Sequence, residues 1–175
     1  MADEPTNLLF GYAEASLDPK TGRFSIPANL FAKLGGETHL RMTVDPLGRF
    51  LEVRSDRSFR ALVDRVVAAA AGLPPETAAA LMTDYLGFSA EVQIDNVLRL
   101  VVPKTLREPL GDEVDLALVA VGDALRIWAL GRYRKTVAQR RALLARDYGR
   151  YVNVVLGLPG PAAPAEPAGP SGVAE

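Results

Sequence analysis

The sequence contains no cysteine, which excludes disulfides, thiolate metal sites and cysteine nucleophiles. A single histidine, His39, leaves no basis for a histidine-rich metal site, so neither a metal nor a cofactor is expected. No apolar run is long enough to span a bilayer, and no membrane association is expected. The first ten residues, MADEPTNLLF, lack the basic-then-apolar pattern of a signal peptide. These absences together give the expectation of a cytoplasmic protein. Also missing are a P-loop, a glycine-rich dinucleotide fingerprint, a Ser-His-Asp arrangement and metal-ligand spacing. Glu91 with Asp95, or Glu14 with Asp18, could be imagined as a hydrolytic carboxylate pair, but nothing nearby supplies a second role. The sequence therefore reads as a non-enzyme with no small-molecule substrate.

Nearly half of the 175 residues are apolar, enough for a sizeable core in one ordinary domain or two very small ones. The formal net charge of -1 conceals a segregation. Residues 1–130 carry 13 basic and 18 acidic side chains, whereas 131–150 carry seven basic (Arg132, Arg134, Lys135, Arg140, Arg141, Arg146, Arg150) and one acidic, Asp147. Local potential matters more than the total for nucleic-acid binding, so the overall acidity does not exclude it. The basic stretch itself reads as a solvated helix face docked on the acidic body, with a nucleic-acid patch as the alternative reading.

The chain repeats a phrase. Sliding it by 76 residues places Arg23 on Arg99, Phe24 on Leu100, Ile26 on Val102, Pro27 on Pro103 and Gly35 on Gly111. Each copy alternates apolar and polar residues, passes an Asp and a turn, and alternates again after an Arg, the period of half-buried strands. A Pro then opens a short expected helix, PANLFAKLGG or PKTLREPLG, closed by Gly. A second hairpin follows, turning at Asp45-Pro46-Leu47-Gly48 or at Gly122-Asp123. Helices are expected from Ser58 to about Gly72, with Phe59, Leu62, Val63, Val66 and Val67 on the apolar face, from Pro75 to Phe88, and from Arg132 to about Tyr148. Trp128 reads as packing at a strand end, and His39 as structural or surface. The parts are then a first repeat over 8–57, inter-repeat helices over 58–87, a second repeat over 88–130, a basic helix over 131–150 and a disordered Pro/Ala/Gly-rich tail over 159–175.

An Asp opening a tight turn accepts hydrogen bonds from backbone N–H groups further on and so fixes the turn. Asp18 and Gly22 in the first copy, and Asp95 and Asn96 in the second, are the expected turn-structuring residues. The second copy has Leu98 in place of glycine, and Asn96 is the nearby residue best suited to a left-handed backbone. The Arg leaves the turn on the outward strand face, where it can close a turn-stabilising ion pair with the Asp, or its guanidinium can reach phosphate oxygens or guanine O6 and N7.

The paired phrases resemble the MraZ family of bacterial transcriptional regulators, whose pattern runs roughly Leu-Asp-x-Lys-Gly-Arg-hydrophobic-x-Ile-Pro. The first copy reads Leu17-Asp18-Pro19-Lys20-Thr21-Gly22-Arg23-Phe24-Ser25-Ile26-Pro27, and the second Ile94-Asp95-Asn96-Val97-Leu98-Arg99-Leu100-Val101-Val102-Pro103. Leu106-Arg107 and Arg126-Ile127-Trp128 follow the second copy, similar to the family's Leu-Arg and Glu-Ile-Trp, and the match spans roughly residues 10–148. The first copy carries one extra residue between Asp and Arg, and Val97 and Leu98 stand where the family has Lys and Gly.

The resemblance implies a mainly β fold with peripheral α-helices, in which two pseudo-symmetric AbrB-like swapped-hairpin units form one β-barrel core. It implies a nucleoid-associated regulator that binds double-stranded DNA at short direct repeats in its own promoter, upstream of the division and cell-wall gene cluster. The outcome it implies is repression, and the assembly a homo-oligomeric ring. Carried over to this chain, the DNA-contacting residues are Arg23 and Arg99, with Lys20 as the basic turn residue and Lys104 beside them. Two other readings stay open. One is an interaction protein that kept the fold without binding DNA. The other is an antitoxin-like AbrB protein that also neutralises a toxin.

Overall fold

The structure is a computed structural model and describes residues 9–156. The tail over 159–175 and the first residue of the first repeat, Leu8, lie outside the described residues. Eight strands form: β1 Leu9–Ser16, β2 Arg23–Ser25, β3 His39–Val44, β4 Leu51–Ser55, β5 Ser89–Gln93, β6 Arg99–Val101, β7 Asp115–Gly122 and β8 Ala124–Ala129. The helices are α1 Ala28–Lys33, α2 Asp56–Ala70, α3 Pro75–Met82 and α4 Leu130–Leu156. A first compact unit ends at Lys135 and holds every strand; a second begins at Thr136 and, within the described residues, is helix.

Six strands make one antiparallel sheet in the order β1-β7-β8-β4-β3-β5, and β2 pairs with β6 in a separate two-stranded ladder. The chain is thus mainly β with several helices. The expected closure into a barrel does not occur, because β1 and β5 stand at opposite edges of the large sheet. The short ladder cannot bridge them. It is three residues long on each side, and Pro27 and Pro103 follow two residues after its strands, each without an N–H to extend it.

Strand alternation sets the core. On β7, Leu116, Leu118 and Ala120 face one cluster, while Ala117 and Val119 face another. The larger cluster fills the space between the sheet and the ladder, with Leu40, Met42, Leu51, Val53, Leu125 and Ile127 below and Phe24, Ile26, Leu100 and Val102 above. Fully burying one such side chain is worth about 1.5–3 kcal/mol, so the ladder is held chiefly by its inward Phe and Leu rather than by its few hydrogen bonds. The smaller cluster is Phe50, Ala117, Trp128 and Leu130, with Tyr133 packed on it. Trp128 stacks tilted on Phe50 at 4.4 Å between ring centroids and meets Tyr133 edge-on at 5.8 Å, the packing role expected of it. His39 is exposed at the start of β3.

Several elements differ from expectation. PKTLREPLG forms two 3₁₀ turns, Lys104–Leu106 and Glu108–Leu110, rather than a helix. Pro109 disfavours helical backbone at Glu108 and supplies no N–H, a constraint its counterpart ANLFAK lacks. The second inter-repeat helix ends as α-helix at Met82 and finishes in a wide π turn, Thr83–Gly87. On α2, Val66 and Ala70 are buried, while Val67 falls on the exposed side. The basic helix starts at Leu130 and reaches Leu156, beyond the expected end near Tyr148.

Candidate nucleic-acid interface

The ladder of β2 and β6 is the geometric centre of the repeated phrase. Its register pairs Arg23 with Val101, Phe24 with Leu100 and Ser25 with Arg99. The period-2 pleat turns Phe24 and Leu100 into the core and leaves Arg23, Ser25, Arg99 and Val101 outward. Arg23 and Arg99 are therefore diagonal neighbours on one face, a relation that places Cα atoms roughly 7–8 Å apart. Both line a concavity of about 430 Å³ with Ser16, Leu17, Asp18, Thr21, Phe24 and Ser25. Lys20 and Lys104 are exposed but do not line it.

The turns that deliver the two arginines are built differently. In the first, Asp18 Oδ1 accepts the Lys20 N–H at 2.9 Å and Oδ2 accepts the Thr21 hydroxyl at 2.8 Å, while the Gly22 N–H donates to the Asp18 carbonyl at 2.7 Å. The Thr21 hydroxyl is the main reason the Asp18 carboxyl titrates below the usual carboxylate range. Gly22 takes φ +73°, the conformation glycine adopts at little cost. Among the described residues, no hydrogen bond or ion pair holds the Arg23 guanidinium.

In the second turn Asp95 Oδ1 accepts the N–H groups of Val97 at 3.1 Å and Arg99 at 2.9 Å, and Oδ2 accepts the Arg99 Nε–H at 2.8 Å. The Arg99 backbone N–H is the first cause of the lowered Asp95 pKa, and the guanidinium adds to it. Arg99 is thus latched to its own turn, while Arg23 is not. The left-handed residue here is Leu98, at φ +59°, not Asn96, which stays at ordinary negative φ. Leu98 takes the Gly22 position because its half-buried side chain packs against the main core, and its N–H closes the turn on the Asp95 carbonyl at 2.9 Å.

Sequence reasoning passed over two residues of this site. Thr21 is the side chain that fastens Asp18. Arg107 donates from Nε to the Val102 carbonyl at 2.9 Å and from Nη2 to the Thr21 carbonyl at 2.8 Å. Its guanidinium lies over Gly22, where an added Cβ would stand 1.8 Å from Nη2. The only advance signal was the Leu106-Arg107 pair itself, which names no target 86 residues away.

Among the described residues no helix is long and apolar enough to cross a membrane, and no cluster of three or more metal-ligating side chains forms. The site is two arginines on a solvated ladder, suited to contact with an extended anionic or hydrogen-bonding surface.

Known proteins point the same way. The model of the MraZ protein family, described as antitoxin-like, matches residues 86–150. The transcriptional regulator MraZ of Mycoplasmopsis pulmonis (strain UAB CTIP) is 28% identical over 125 residues, which cover 71% of this chain and 81% of that protein. The transcriptional regulator MraZ of Treponema pallidum (strain Nichols) is 30% identical over 139 residues, 78% of this chain and 89% of that protein. The aligned length takes in more than three quarters of this chain and most of the relative's own, so this chain belongs to the MraZ family.

Proposed function

We propose that the chain is a DNA-binding transcriptional regulator, not an enzyme, that reads double-stranded DNA through the outward face of the β2/β6 ladder. The observation that carries this is the shared concavity lined by Arg23 and Arg99, one from each copy of the phrase. Two guanidiniums on one edge match bidentate recognition of guanine or phosphate, and each good base pairing discriminates by about 1–3 kcal/mol. Arg23, free of an ion pair, is the principal reader; Arg99 acts once Asp95 releases it. Lys20 and Lys104 flank them and hold the backbone, while Asp18, Gly22, Asp95 and Asn96 belong to the turns that present them.

The finer reading is a pseudo-symmetric pair of AbrB-like swapped hairpins, one over 8–57 and one over 88–130. Reciprocal bonds support it: the Val102 N–H donates to the Gly22 carbonyl at 2.9 Å and the Ile26 N–H to the Leu98 carbonyl at 2.7 Å, the two donors lying 76 residues apart in sequence and the two acceptors likewise. Exchanged strands support it too, since β1 pairs with β7 and β5 with β3. One chain offers two arginines, which is little for a promoter search. Linking several such sites raises avidity by roughly 10²–10⁴. A homo-oligomeric ring reading short direct repeats in its own promoter, upstream of the division and cell-wall genes, and repressing them fits that need, with the protein cytoplasmic and on the nucleoid. The antitoxin-like description of the matching family keeps toxin neutralisation as a second reading.

The test is binding of the purified chain to its own upstream DNA and to a scrambled duplex of equal composition. The wild type is expected to prefer its own sequence, with affinity falling steeply as salt rises. Arg23→Ala is expected to remove most of the preference and leave the part that Arg99 supplies. Equal binding of both duplexes by the wild type defeats the reading; a protein that co-purifies and is displaced by no DNA favours the antitoxin reading.

A further inference from the structure

We propose that Arg107 is a positioning residue for DNA reading: a polar clamp, set on the second copy, that aims Arg23 on the first. This rests on the DNA-reading function proposed above.

The geometry is specific to one turn. The half-buried Arg107 side chain spends Nε on the Val102 carbonyl and Nη2 on the Thr21 carbonyl, so one guanidinium joins the end of the second copy's ladder strand to the first copy's turn. Thr21 is also the residue whose hydroxyl fastens Asp18 and accepts the Arg23 N–H at 3.3 Å. Arg107 therefore holds the backbone segment from which Arg23 departs, without touching Arg23. The clamp needs an open α-carbon beneath it, and Gly22 provides one. A Cβ there would displace the guanidinium as well as strain a backbone at φ +73°.

The other turn is built with the opposite chemistry. Displacing the sequence by 76 residues sets Leu98 at the Gly22 position and Phe31 at the Arg107 position. Both are part-buried apolar side chains packed on the main core. Glycine goes with an arginine clamp, and leucine with a phenylalanine. Two carbonyls bound by one planar fork fix direction better than apolar contact does, because both hydrogen bonds must be kept at once. The polar version stands at the turn whose arginine is unpaired, and the apolar version at the turn whose arginine is already latched by Asp95. A side chain that no hydrogen bond aims depends on its backbone being held.

The experiment uses the full chain with Arg107→Gln and Arg107→Lys, each alone and combined with Arg23→Ala, on the upstream and scrambled duplexes across a salt series. Arg107→Gln is expected to cut the preference for the upstream duplex at least tenfold and to leave the salt slope unchanged, since the guanidinium is consumed inside the protein. In the Arg23→Ala background it should cause no further loss of preference. Arg107→Lys, able to reach one carbonyl, should keep part of the preference, and it serves as the variant of record should Arg107→Gln fail to fold. Amide hydrogen exchange supplies a readout independent of DNA: the Gly22 and Arg23 amides should exchange faster in either variant, and the Leu98 and Arg99 amides should not.

A folded variant with full preference overturns the proposal, as does an equal loss with and without Arg23, or a salt slope lowered by about one, which marks Arg107 as a phosphate contact itself. Unchanged exchange at Gly22 and Arg23 overturns the clamp. A wild type that does not distinguish the duplexes defeats the DNA reading and the functional half of this proposal, while the exchange arm still decides whether Arg107 orders the turn.

Discussion

Asp18 and Asp95 head corresponding turns, yet different donors hold their carboxylates: a threonine hydroxyl for one, the arginine's own N–H groups for the other. Both pKa values are depressed. A depressed carboxylate contributes stability above the unfolded value of about 3.9 and loses it as pH falls through the lower folded value. The turns are thus intact at neutral pH and loosen only in strong acid. Carboxylate titration by NMR should find both below an unfolded aspartate. Thr21→Val should bring Asp18 back toward the ordinary value and leave Asp95 unmoved; an Asp18 that does not respond would show that the backbone N–H groups alone hold it. At this scale the repeated alternation made the strands and outward arginines legible. It did not reveal Leu98, because a leucine at φ +59° is set by packing against the core, which no local pattern encodes. Arg107 was hidden for the same reason: its partners are tertiary.

Helix α2 shows how an element is fixed to the sheet. Ser55 caps it by accepting the Ser58 N–H at 3.2 Å, and the Ser58 hydroxyl donates to the Asp123 carbonyl at 2.9 Å in the β7–β8 turn. Arg54, 6% exposed, pairs with Asp123 and with Glu52 at 2.7 Å, and Glu52 also takes Arg126 at 2.9 Å. The helix start, the strand before it and the distant hairpin thus share one part-buried charge network centred on the buried Arg54. Removing one member strands its partners in a poorly solvated site, at a cost of about 3–5 kcal/mol. Arg54→Met should lower unfolding free energy by an amount near the bottom of that range, because Arg126 still serves Glu52, and chemical denaturation measures it. A loss under about 1 kcal/mol would place the network with ordinary surface pairs. Helix positions were legible from their apolar spacing and flanking prolines. The 3₁₀ turns were also within reach, since Pro109 stands in the sequence; the helix expectation gave weight to the opening Pro103 and the closing Gly111 and too little to the proline between them.

For the whole molecule, the repeat was legible but its closure was not. Period and pattern align the two phrases in the sequence; they do not specify whether the strands join into one barrel or divide into a six-stranded sheet and a two-stranded ladder. That division leaves the ladder's outer face solvated, and under the proposed function it sets which charges a bound duplex would meet. Arg23, Arg99, Lys20 and Lys104 are exposed around the ladder, against the carboxylates of Asp18 and Asp95 already committed to their turns. A chain of net charge -1 can bind a polyanion if this local excess is what the phosphates see. Positioning and specifying contacts then separate by experiment. Each phosphate contact contributes about 0.9 to the slope of log affinity against log salt, whereas a base contact changes the preference between sequences. Lys20→Ala and Lys104→Ala should each lower the slope by about one per bound subunit and weaken upstream and scrambled duplexes alike. Should Lys104→Ala leave the slope intact, the interface stops at the first copy's turn, and the second copy contributes Arg99 alone.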